Sequence, residues 1–357
     1  MITQRVDLGR DSYDIHIGEM ASFGILIREH CKPEGTIVIV ADGMAWRFHG
    51  DAFTAALTTA GLTAKVLILP PGEKNKSIEG LTGLYRFFSE TGLRRDGLVV
   101  AFGGGVIGDL AGFAAATWMR GTPFIQVPTT LLAQVDASVG GKTAIDLPWG
   151  KNLAGAFHQP KMVLIDVNTL ETLSPRDFRC GMAEIIKYGA ILSRSFFIRL
   201  GTPPSRAELP GIIAECCRFK SEIVSRDEKE SGERMLLNFG HTFGHSIEKL
   251  GHYEVYTHGE AVAMGMILAA KAGELLGLTA SGCSDALRET LSAHGLPCDS
   301  PYKPSALLAP AQMDKKAGAG GLRLVLLETL GHAFVHQPYE QALTDVLERM
   351  DESWTPA

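Results

Sequence analysis

Short, continuous runs of apolar and β-branched residues alternate with helical segments through the first half of the chain. Such runs occur at 36–41, 64–69, 98–102, 124–127 and 162–165. A strand that is apolar on both faces suits a parallel sheet covered by helices on both sides. The pattern therefore predicts an α/β fold with a Rossmann-like, mostly parallel sheet.

Strand signals become sparse after residue 173, and helical periodicity replaces them. Ile212, Cys216, Phe219 and Ile223 have the three- and four-residue spacing of a helix with one buried face. We therefore predict an α/β domain over 1–173 and an all-helical domain over 174–357. An apolar run at 322–327 indicates a strand or hairpin arm within the second part.

Charge and cysteine usage limit the classes of partner and compartment. A formal net charge of -6 argues against nucleic acid or an anionic membrane as the main partner. The longest apolar stretch, 111–119, is too short to span a bilayer, and the N-terminus lacks an apolar signal core. The six cysteines include no Cys-x-x-Cys pair, which predicts reduced core residues. We expect a cytoplasmic protein.

A glycine-rich loop follows one of the predicted strands directly. Glycine supplies 40 of the 357 residues, and residues 103–109 read Gly-Gly-Gly-Val-Ile-Gly-Asp before a helical segment at 110–118. A strand, a glycine turn and a helix start can bind a pyrophosphate through backbone N–H groups. However, the loop follows a later strand than the first, and no acidic residue ends a strand soon afterwards. Asp42 is the best candidate for the ribose carboxylate, and an ordinary tight turn is the alternative.

A polar stripe occurs in an otherwise apolar segment of the second half. Arg234, Asn238, His241 and His245 are spaced by four, three and four residues, which would place them on one face of a helix. His-x-x-x-His is a familiar metal spacing, so the pattern favours His241 and His245 as a ligand pair. His258 adds a third imidazole before the next apolar helix.

Glu184 and Lys187 share another helical face among apolar neighbours. A buried ion pair would explain them, but two imidazoles and one carboxylate also form a common ligand set for catalytic zinc. The chain adds further cations at Lys142, Lys151, Lys187, Lys220 and Arg234. A single anionic group does not account for so many cationic residues, which indicates a substrate with both a phosphate and a carboxylate.

Taken together, these motifs resemble the 3-dehydroquinate synthases of the shikimate pathway. The resemblance rests on the glycine loop, on 128–142 (Pro-Thr-Thr-Leu-Leu-Ala-Gln-Val-Asp-Ala-Ser-Val-Gly-Gly-Lys), on Lys151-Asn152, on 182–189 and on 238–245 (Asn-Phe-Gly-His-Thr-Phe-Gly-His). It implies an N-terminal Rossmann-like NAD-binding domain, a C-terminal all-helical metal-binding domain and a homodimer. In that family a single active site lies between the two domains.

The resemblance also implies a reaction. It converts 3-deoxy-D-arabino-heptulosonate 7-phosphate to 3-dehydroquinate and phosphate through oxidation by NAD, phosphate elimination, reduction, ring opening and internal aldol closure. Because NAD is regenerated in each turnover, the net reaction is that of a lyase.

Residue roles follow from the same resemblance. Zinc, or cobalt in its place, would be bound by Glu184, His241 and His258, whereas His245 would transfer protons, in conflict with the spacing argument. The expected NAD contacts are Asp42, Glu73, Lys76, Gly104, Gly105, Val106, Ile107, Gly108, Asp109, Thr129, Thr130, Lys142, Lys151, Thr169, Leu170, Glu171 and Thr172. The expected substrate contacts are Asp136, Lys142, Asn152, Lys187, Lys220, Arg234, Asn238, Arg120 from the neighbouring subunit, and Lys315 or Lys316.

Three other functions share parts of this pattern. A sugar-phosphate cyclase with a different heptulose or hexose phosphate would use the same NAD and zinc machinery. A polyol dehydrogenase would not need so many anion-binding lysines. A catalytically silent NAD-binding regulator would not need intact metal ligands.

Overall fold

The computed structural model describes residues 1–315 and 322–354, which form two compact units. The first unit comprises Met1–Ser174 and Ala207–Lys229, and the second comprises Pro175–Arg206 and the described residues of Glu230–Ala357. The division differs from the predicted 1–173 and 174–357 in the segment 207–229. This segment belongs to the first unit because Lys220 pairs with Asp136 and the Cys217 thiol donates to the Gln134 carbonyl oxygen at 3.3 Å.

A seven-stranded sheet forms the centre of the first unit in the described part of the chain, in the order β1-β2-β9-β6-β5-β3-β4. All neighbours are parallel except β1 and β2. The strands are β1 (Ile2–Val6), β2 (Tyr13–Ile17), β3 (Ile37–Asp42), β4 (Ala64–Leu69), β5 (Leu98–Gly103), β6 (Phe124–Pro128) and β9 (Met162–Ile165), beside a separate hairpin of β7 (Lys142–Leu147) and β8 (Gly150–Phe157). The five predicted strands are confirmed.

Helices cover both faces of this sheet. Those of the first unit are α1 (Phe23–Leu26), α2 (Gly43–Thr59), α3 (Ile78–Thr91), α4 (Gly105–Thr117) and α7 (Leu209–Arg226). Phe53 of α2 packs on the face of Ile39, whereas Leu110 of α4 packs on the face of Val38. Because the helices after β3 and β5 cover opposite faces, a crevice opens between the carboxyl ends of these two strands, where open α/β sheets bind ligands.

The second unit consists mainly of helices. They are α5 (Pro175–Leu192), α6 (Arg194–Arg199), α8 (His241–Leu250), α9 (His258–Leu275), α10 (Cys283–Ala293), α11 (Leu308–Lys315) and α12 (Glu340–Glu352). A hairpin of β10 (Leu324–Thr329) and β11 (His332–His336) accompanies them, which confirms the strand or hairpin arm predicted at 322–327 and is the exception to the predicted all-helical domain. The hairpin forms because Leu326 and Leu327 are fully buried and Thr279 donates to the Leu327 carbonyl oxygen at 2.6 Å.

Two further sequence predictions concern the whole chain. The six cysteines are all free, and four of them are buried as predicted, whereas Cys31 and Cys298 are only half-buried. Within the described ranges, none of the helices combines the length and the apolar composition needed to cross a bilayer.

Candidate active site

The glycine loop lies at the carboxyl end of β5 and forms the start of α4. Gly104 occupies the N-cap position, and Gly105 is the first helical residue. A Cβ atom at Gly108 would lie 2.5 Å from Gln126 Oε1, and one at Gly104 would lie 3.0 Å from Thr130 Cγ2. Glycine at these positions therefore permits α4 to pack closely on the sheet while its first N–H groups point toward the crevice, as in dinucleotide-binding loops.

Asp42 stands beside this loop. Its Oδ1 atom caps α2 by accepting from Met44 N at 2.9 Å and Ala45 N at 3.1 Å. A Cβ atom at Gly103 would lie 3.0 Å from Asp42 Cβ, so the carboxylate and the glycine loop are adjacent across the β3–β5 crevice. This geometry supports the predicted role of Asp42 at a ribose.

A buried lysine connects the loop to the β7–β8 hairpin. Lys76 Nζ lies 2.6 Å from Asp109 Oδ2 and also donates to Asn152 Oδ1. Burial alone lowers the pKa of Lys76, but the Asp109 carboxylate outweighs this and raises it, so the ammonium stays charged. Asn152 has a left-handed backbone (φ 57°), and its N–H donates to Asp146 Oδ1 at 2.8 Å. This network fixes Asn152 at the edge of the crevice.

The remaining expected polar residues of the first unit occupy different environments. Lys220 Nζ bonds to Asp136 through both Oδ1 and the carbonyl oxygen, at 2.7 Å each. Lys151 forms a partly exposed ion pair with Glu73 at 3.6 Å, and Lys142 begins β7 with an exposed side chain.

Thr129 and Thr130 follow β6 at the same edge as the glycine loop. Thr129 N donates to the Gly103 carbonyl oxygen at 2.9 Å, and Thr130 Oγ1 accepts from Ala133 N at 3.2 Å. Both threonines therefore lie beside β5, where the family resemblance implies contacts with NAD.

The segment Val167–Thr172 forms a 3-10 helix whose two threonine hydroxyls are engaged within the first unit. Thr169 is buried, donates to the Asp166 carbonyl oxygen at 2.8 Å and accepts from Gln134 Nε2 at 3.0 Å. Thr172 Oγ1 hydrogen-bonds with His49 Nε2 at 2.8 Å. Leu170 is also buried, whereas Glu171 is exposed. Because the Thr169 hydroxyl is already engaged in these hydrogen bonds, Thr169 could contact a cofactor only through its backbone.

Three potential metal ligands converge in the second unit. Glu184 lies on α5, His241 is the first residue of α8, and His258 is the first residue of α9. Glu184 Oε1 lies 3.7 Å from His241 Nε2 and 3.6 Å from His258 Nε2. The three ligand atoms all lie within 4.8 Å of one another, and Glu184 is fully buried. Two imidazole nitrogens and one carboxylate are a suitable donor set for zinc or cobalt.

Close helix crossings bring these ligands together. A Cβ atom at Gly265 of α9 would lie only 2.1 Å from the Gly240 carbonyl oxygen at the start of α8. A Cβ atom at Gly259 would lie 2.3 Å from the Cys180 carbonyl oxygen of α5. Since an ordinary contact begins near 3.4 Å, both positions need glycine. The glycines at these crossings therefore determine how closely the three helices approach.

Polar contacts fix the beginning of α9. Thr257 and Glu260 form a capping box, in which each side chain accepts from the backbone N–H of the other. Arg176, in the first turn of α5, binds Glu260 with both Nε and Nη2 at 2.9 and 2.7 Å. This bidentate pair ties the first turn of α5 to the residues that flank His258.

The two imidazoles differ in their electrostatic environment. Burial lowers the pKa of His241 well below its usual value, and the neighbouring Lys187 ammonium lowers it further. Burial also disfavours protonated His258, but the carboxylates of Glu184 and Glu248 outweigh it and raise the pKa of His258 well above its usual value. His241 is therefore neutral at pH 7, as a metal ligand requires, whereas His258 holds a proton that a bound metal would displace.

His245 belongs to a different group of donors than His241. It is exposed, and one of its ring nitrogens lies within 4.8 Å of potential ligand atoms of Glu248 and His258. The ring centroids of His241 and His245 are 5.4 Å apart, so His245 borders the metal cluster. Among the described residues, the ligand set implied by the resemblance forms one group of potential metal ligands, whereas His241 and His245 do not occur together in any such group.

The predicted single helical stripe was wrong. Arg234 and Asn238 lie on a 3-10 helix, Glu233–Asn238, and α8 begins only at His241. The break occurs at Gly240, whose φ of +77° is left-handed and lies in a close contact with α9. Asn238 still reaches the site, since it lines a cavity of about 180 Å³ along α8 with His241 and His245.

Glu230 is a site residue that the sequence patterns missed. Asn238 Nδ2 donates to Glu230 Oε1 at 2.6 Å, and Glu230 has a left-handed backbone (φ 58°). Nearby, Arg234 is buried and Lys187 forms an ion pair with Glu184. No sequence spacing identifies Glu230 as a site residue, because the position of its side chain depends on the conformation of a loop.

Two further expectations concern Arg120 and a late lysine pair. Arg120 and its neighbour Met119 have left-handed backbones (φ 66° and 49°) at the end of α4 opposite Gly105. The lysine pair Lys315 and Lys316 falls outside the residues whose side chains are described.

Comparison with known proteins gives consistent matches over nearly the whole chain. The family profile described as "3-dehydroquinate synthase N-terminal" matches residues 66–180, and "3-dehydroquinate synthase C-terminal" matches 181–317. The chain is 45% identical to the 3-dehydroquinate synthase of a Synechococcus species over 357 residues, covering 96% of this chain and 97% of the relative.

Two solved structures are similar in fold. A 2-deoxy-scyllo-inosose synthase complexed with carbaglucose-6-phosphate, NAD+ and Co2+ has a TM-score of 0.85 at 26% identity and covers 98% of this chain and 100% of its own. The 2-epi-5-epi-valiolone synthase of Streptomyces hygroscopicus subsp. jinggangensis with NAD+ and Zn2+ bound has a TM-score of 0.86 at 25% identity, with 97% and 99% coverage.

Proposed function

The chain belongs to the 3-dehydroquinate synthase family, and from this we propose that it converts 3-deoxy-D-arabino-heptulosonate 7-phosphate to 3-dehydroquinate and phosphate. This is a lyase reaction of aromatic amino acid biosynthesis. The observation that carries the proposal is the convergence of Glu184, His241 and His258 in a chain that matches the family over nearly its full length.

We assign the metal to these three residues. A divalent metal supplies Lewis-acid chemistry at a substrate oxygen. Glu184 contributes a carboxylate whose charge is balanced by Lys187, and His241 contributes a neutral imidazole. We propose that His245, which is exposed beside the cluster, exchanges protons with a bound substrate.

We assign NAD to the crevice between β3 and β5. When bound there, NAD would supply hydride acceptance and return. The first N–H groups of α4 would hold its phosphates, and Asp42 would hold a ribose hydroxyl through the carboxylate oxygen that does not cap α2. Lys76 keeps Asp109 and Asn152 in fixed positions at the edge of this crevice.

The substrate carries two anionic groups, and the chain contains cations of the kind that bind a phosphate or a carboxylate. Lys142 and Lys220 belong to the first unit, and Lys187 and Arg234 to the second. Lys187 and Arg234 are buried, and a buried guanidinium is well suited to bidentate binding of a carboxylate or phosphate. Asn238, held by Glu230, adds a fixed amide for hydroxyl recognition.

We further propose a homodimer in which Arg120 binds the phosphate of the partner's substrate. The helix α4 has 13 residues, so it is about 20 Å long. Arg120 follows its last turn, whereas Gly105 and Asp109 lie in its first turns. This separation exceeds the reach of an arginine side chain, so Arg120 does not extend to the glycine loop of its own unit. The free cysteines support a reducing, cytoplasmic location.

Phosphate release is the decisive assay. The purified protein, with zinc and a catalytic amount of NAD, should release phosphate from 3-deoxy-D-arabino-heptulosonate 7-phosphate and form 3-dehydroquinate. Glu184→Gln should abolish the activity, whereas Gly83→Ala, at a helical site with open space around it, should not. Release only from another heptulose or hexose phosphate would assign the chain to a different sugar-phosphate cyclase activity. Stoichiometric NADH formation from a polyol would refute the lyase assignment.

A further inference from the structure

One buried carboxylate of the second unit has no role in the proposed chemistry. Glu248 lies on α8, seven residues after His241, which is two helical turns along the same face. It is 6% exposed, and its Oε1 atom lies 3.6 Å from His258 Nδ1. Burying a carboxylate is costly unless it is paired, so this contact needs an explanation.

The two histidines are oriented in the same way. His241 and His258 both direct Nε2 toward Glu184 Oε1, at 3.7 and 3.6 Å. On the other side of its ring, His241 Nδ1 donates to the Phe239 carbonyl oxygen at 3.0 Å. A carbonyl oxygen only accepts, so the proton of neutral His241 is on Nδ1 and the lone pair is on Nε2. Glu248 occupies the corresponding position behind His258.

We propose that Glu248 is a positioning residue that holds the Nδ1 proton of His258, so that Nε2 presents its lone pair beside Glu184. The inference rests on the proposed metal site. Acceptors behind ligating histidines fix the tautomer and the ring orientation, and their loss lowers metal affinity. A shift of about 0.6 Å would shorten the Glu248–His258 contact to an ordinary hydrogen bond.

The alternative is that Glu248 itself binds the metal together with His245 and His258. In that arrangement His258 would bind through Nδ1, and its Nε2 would carry the proton. That arrangement would leave His241 out of the metal site. However, His241 Nδ1 is already hydrogen-bonded to the Phe239 carbonyl oxygen, and its Nε2 already faces Glu184. The alternative set also includes the exposed His245, whereas Glu184 is fully buried. The geometry favours Glu248 as the residue behind the ligand.

The test compares zinc dissociation constants of Glu248→Gln and Glu248→Leu with that of the wild type. They are measured on purified metal-depleted full-length proteins by competition with a chromophoric chelator. Glu248→Leu should weaken zinc binding by roughly 10- to 100-fold. Glu248→Gln keeps an oxygen acceptor and should retain most of the affinity. The absorption spectrum of the cobalt-substituted protein should change in Glu248→Leu, because the His258 ring is no longer held.

Glu274→Leu is the matched control. Glu274 lies on α9 and accepts from Ser284 N and Ser284 Oγ at 2.9 Å each. Its loss should lower thermal stability and leave zinc affinity and the cobalt spectrum unchanged. If Glu248→Leu is folded by circular dichroism but binds zinc as tightly as the wild type, the inference is refuted. If Glu248→Gln loses zinc as completely as His258→Ala, Glu248 is a direct ligand and the inference is wrong. Failure of the wild type to bind zinc would instead overturn the proposed metal site.

Discussion

The crossing of α8 and α9 leads to a prediction that links packing to metal binding. In Gly265→Ala the new methyl group would lie 2.1 Å from the Gly240 carbonyl oxygen and 2.8 Å from Gly244 N. Both neighbours are backbone atoms, so no side-chain rotation relieves the clash. To reach the 3.4 Å of an ordinary contact, the two helices must separate by about 1.3 Å.

This displacement should have two measurable effects. Overpacking costs about 1–3 kcal/mol, and we expect the upper end because two backbones collide. For a unit of this size, about 3 kcal/mol corresponds to a fall in Tm of roughly 6–12 °C. A metal site tolerates misplacement of about 0.5 Å, so the separation of His241 from His258 should also weaken zinc binding at least tenfold.

Differential scanning calorimetry and chelator competition would measure the two effects. Gly83→Ala in α3 is the control, because a Cβ atom there meets nothing within 4 Å. The control should keep its zinc affinity and be equally stable or more stable by up to about 1 kcal/mol. If Gly265→Ala matches the control in both Tm and zinc affinity, the helix crossing does not set the geometry of the metal ligands.

Three further predictions concern ligands, subunits and pH. His258→Ala should lose bound metal, whereas His245→Ala should keep the metal and lose most activity; atomic absorption on both purified variants would show the reverse pattern if the assignment is wrong. Arg120→Ala and Lys187→Ala should each be nearly inactive, but mixing them under subunit exchange should restore roughly a quarter of wild-type activity, since half of the dimers are mixed and each has one intact site. No recovery, with exchange shown by native mass spectrometry, would place Arg120 outside the partner's site. Burial lowers the pKa of His294, so the unfolded chain takes up a proton before the folded one as the pH falls below about 6.5. On acidification, the free energy of unfolding should therefore decrease, and His294 should contribute at most about 1.4 kcal/mol per pH unit to this slope. In His294→Gln, the free energy of unfolding measured by chemical denaturation should depend less on pH between pH 5 and 7.

The first unit shows what sequence patterns can and cannot predict. Four of the five predicted strands, β3, β5, β6 and β9, are buried on both faces, so their sequences are continuous apolar runs, whereas β4 lies at the edge of the sheet and exposes Val66 and Ile68. The β7–β8 hairpin was missed because polar residues and glycines, such as Lys151, Asn152 and Gly155, interrupt the apolar run in the partly exposed strand β8. Helix α7 was recognised as a helix, but its membership of the first unit depends on long-range contacts such as Lys220 with Asp136.

The metal site illustrates the same limit in the second unit. Periodicity reports which residues share one helix, and it therefore paired His241 with His245. It cannot report that the beginning of α9 approaches α5, which depends on Gly259 and on the Arg176–Glu260 pair. The family resemblance predicted the metal-ligand set that includes His258, because a family pattern carries information about contacts between helices.

The helix crossings described above also determine how metal binding relates to folding. In zinc fingers the ligands are gathered only by the metal, so the binding free energy is also the folding free energy. Here Glu184 has its charge balanced by Lys187, and His241 and His258 are placed by glycine contacts and a capping box, all made by the protein alone. We therefore expect the metal to exchange without unfolding the chain. The metal content of the protein then follows the supply of zinc or cobalt rather than the history of folding.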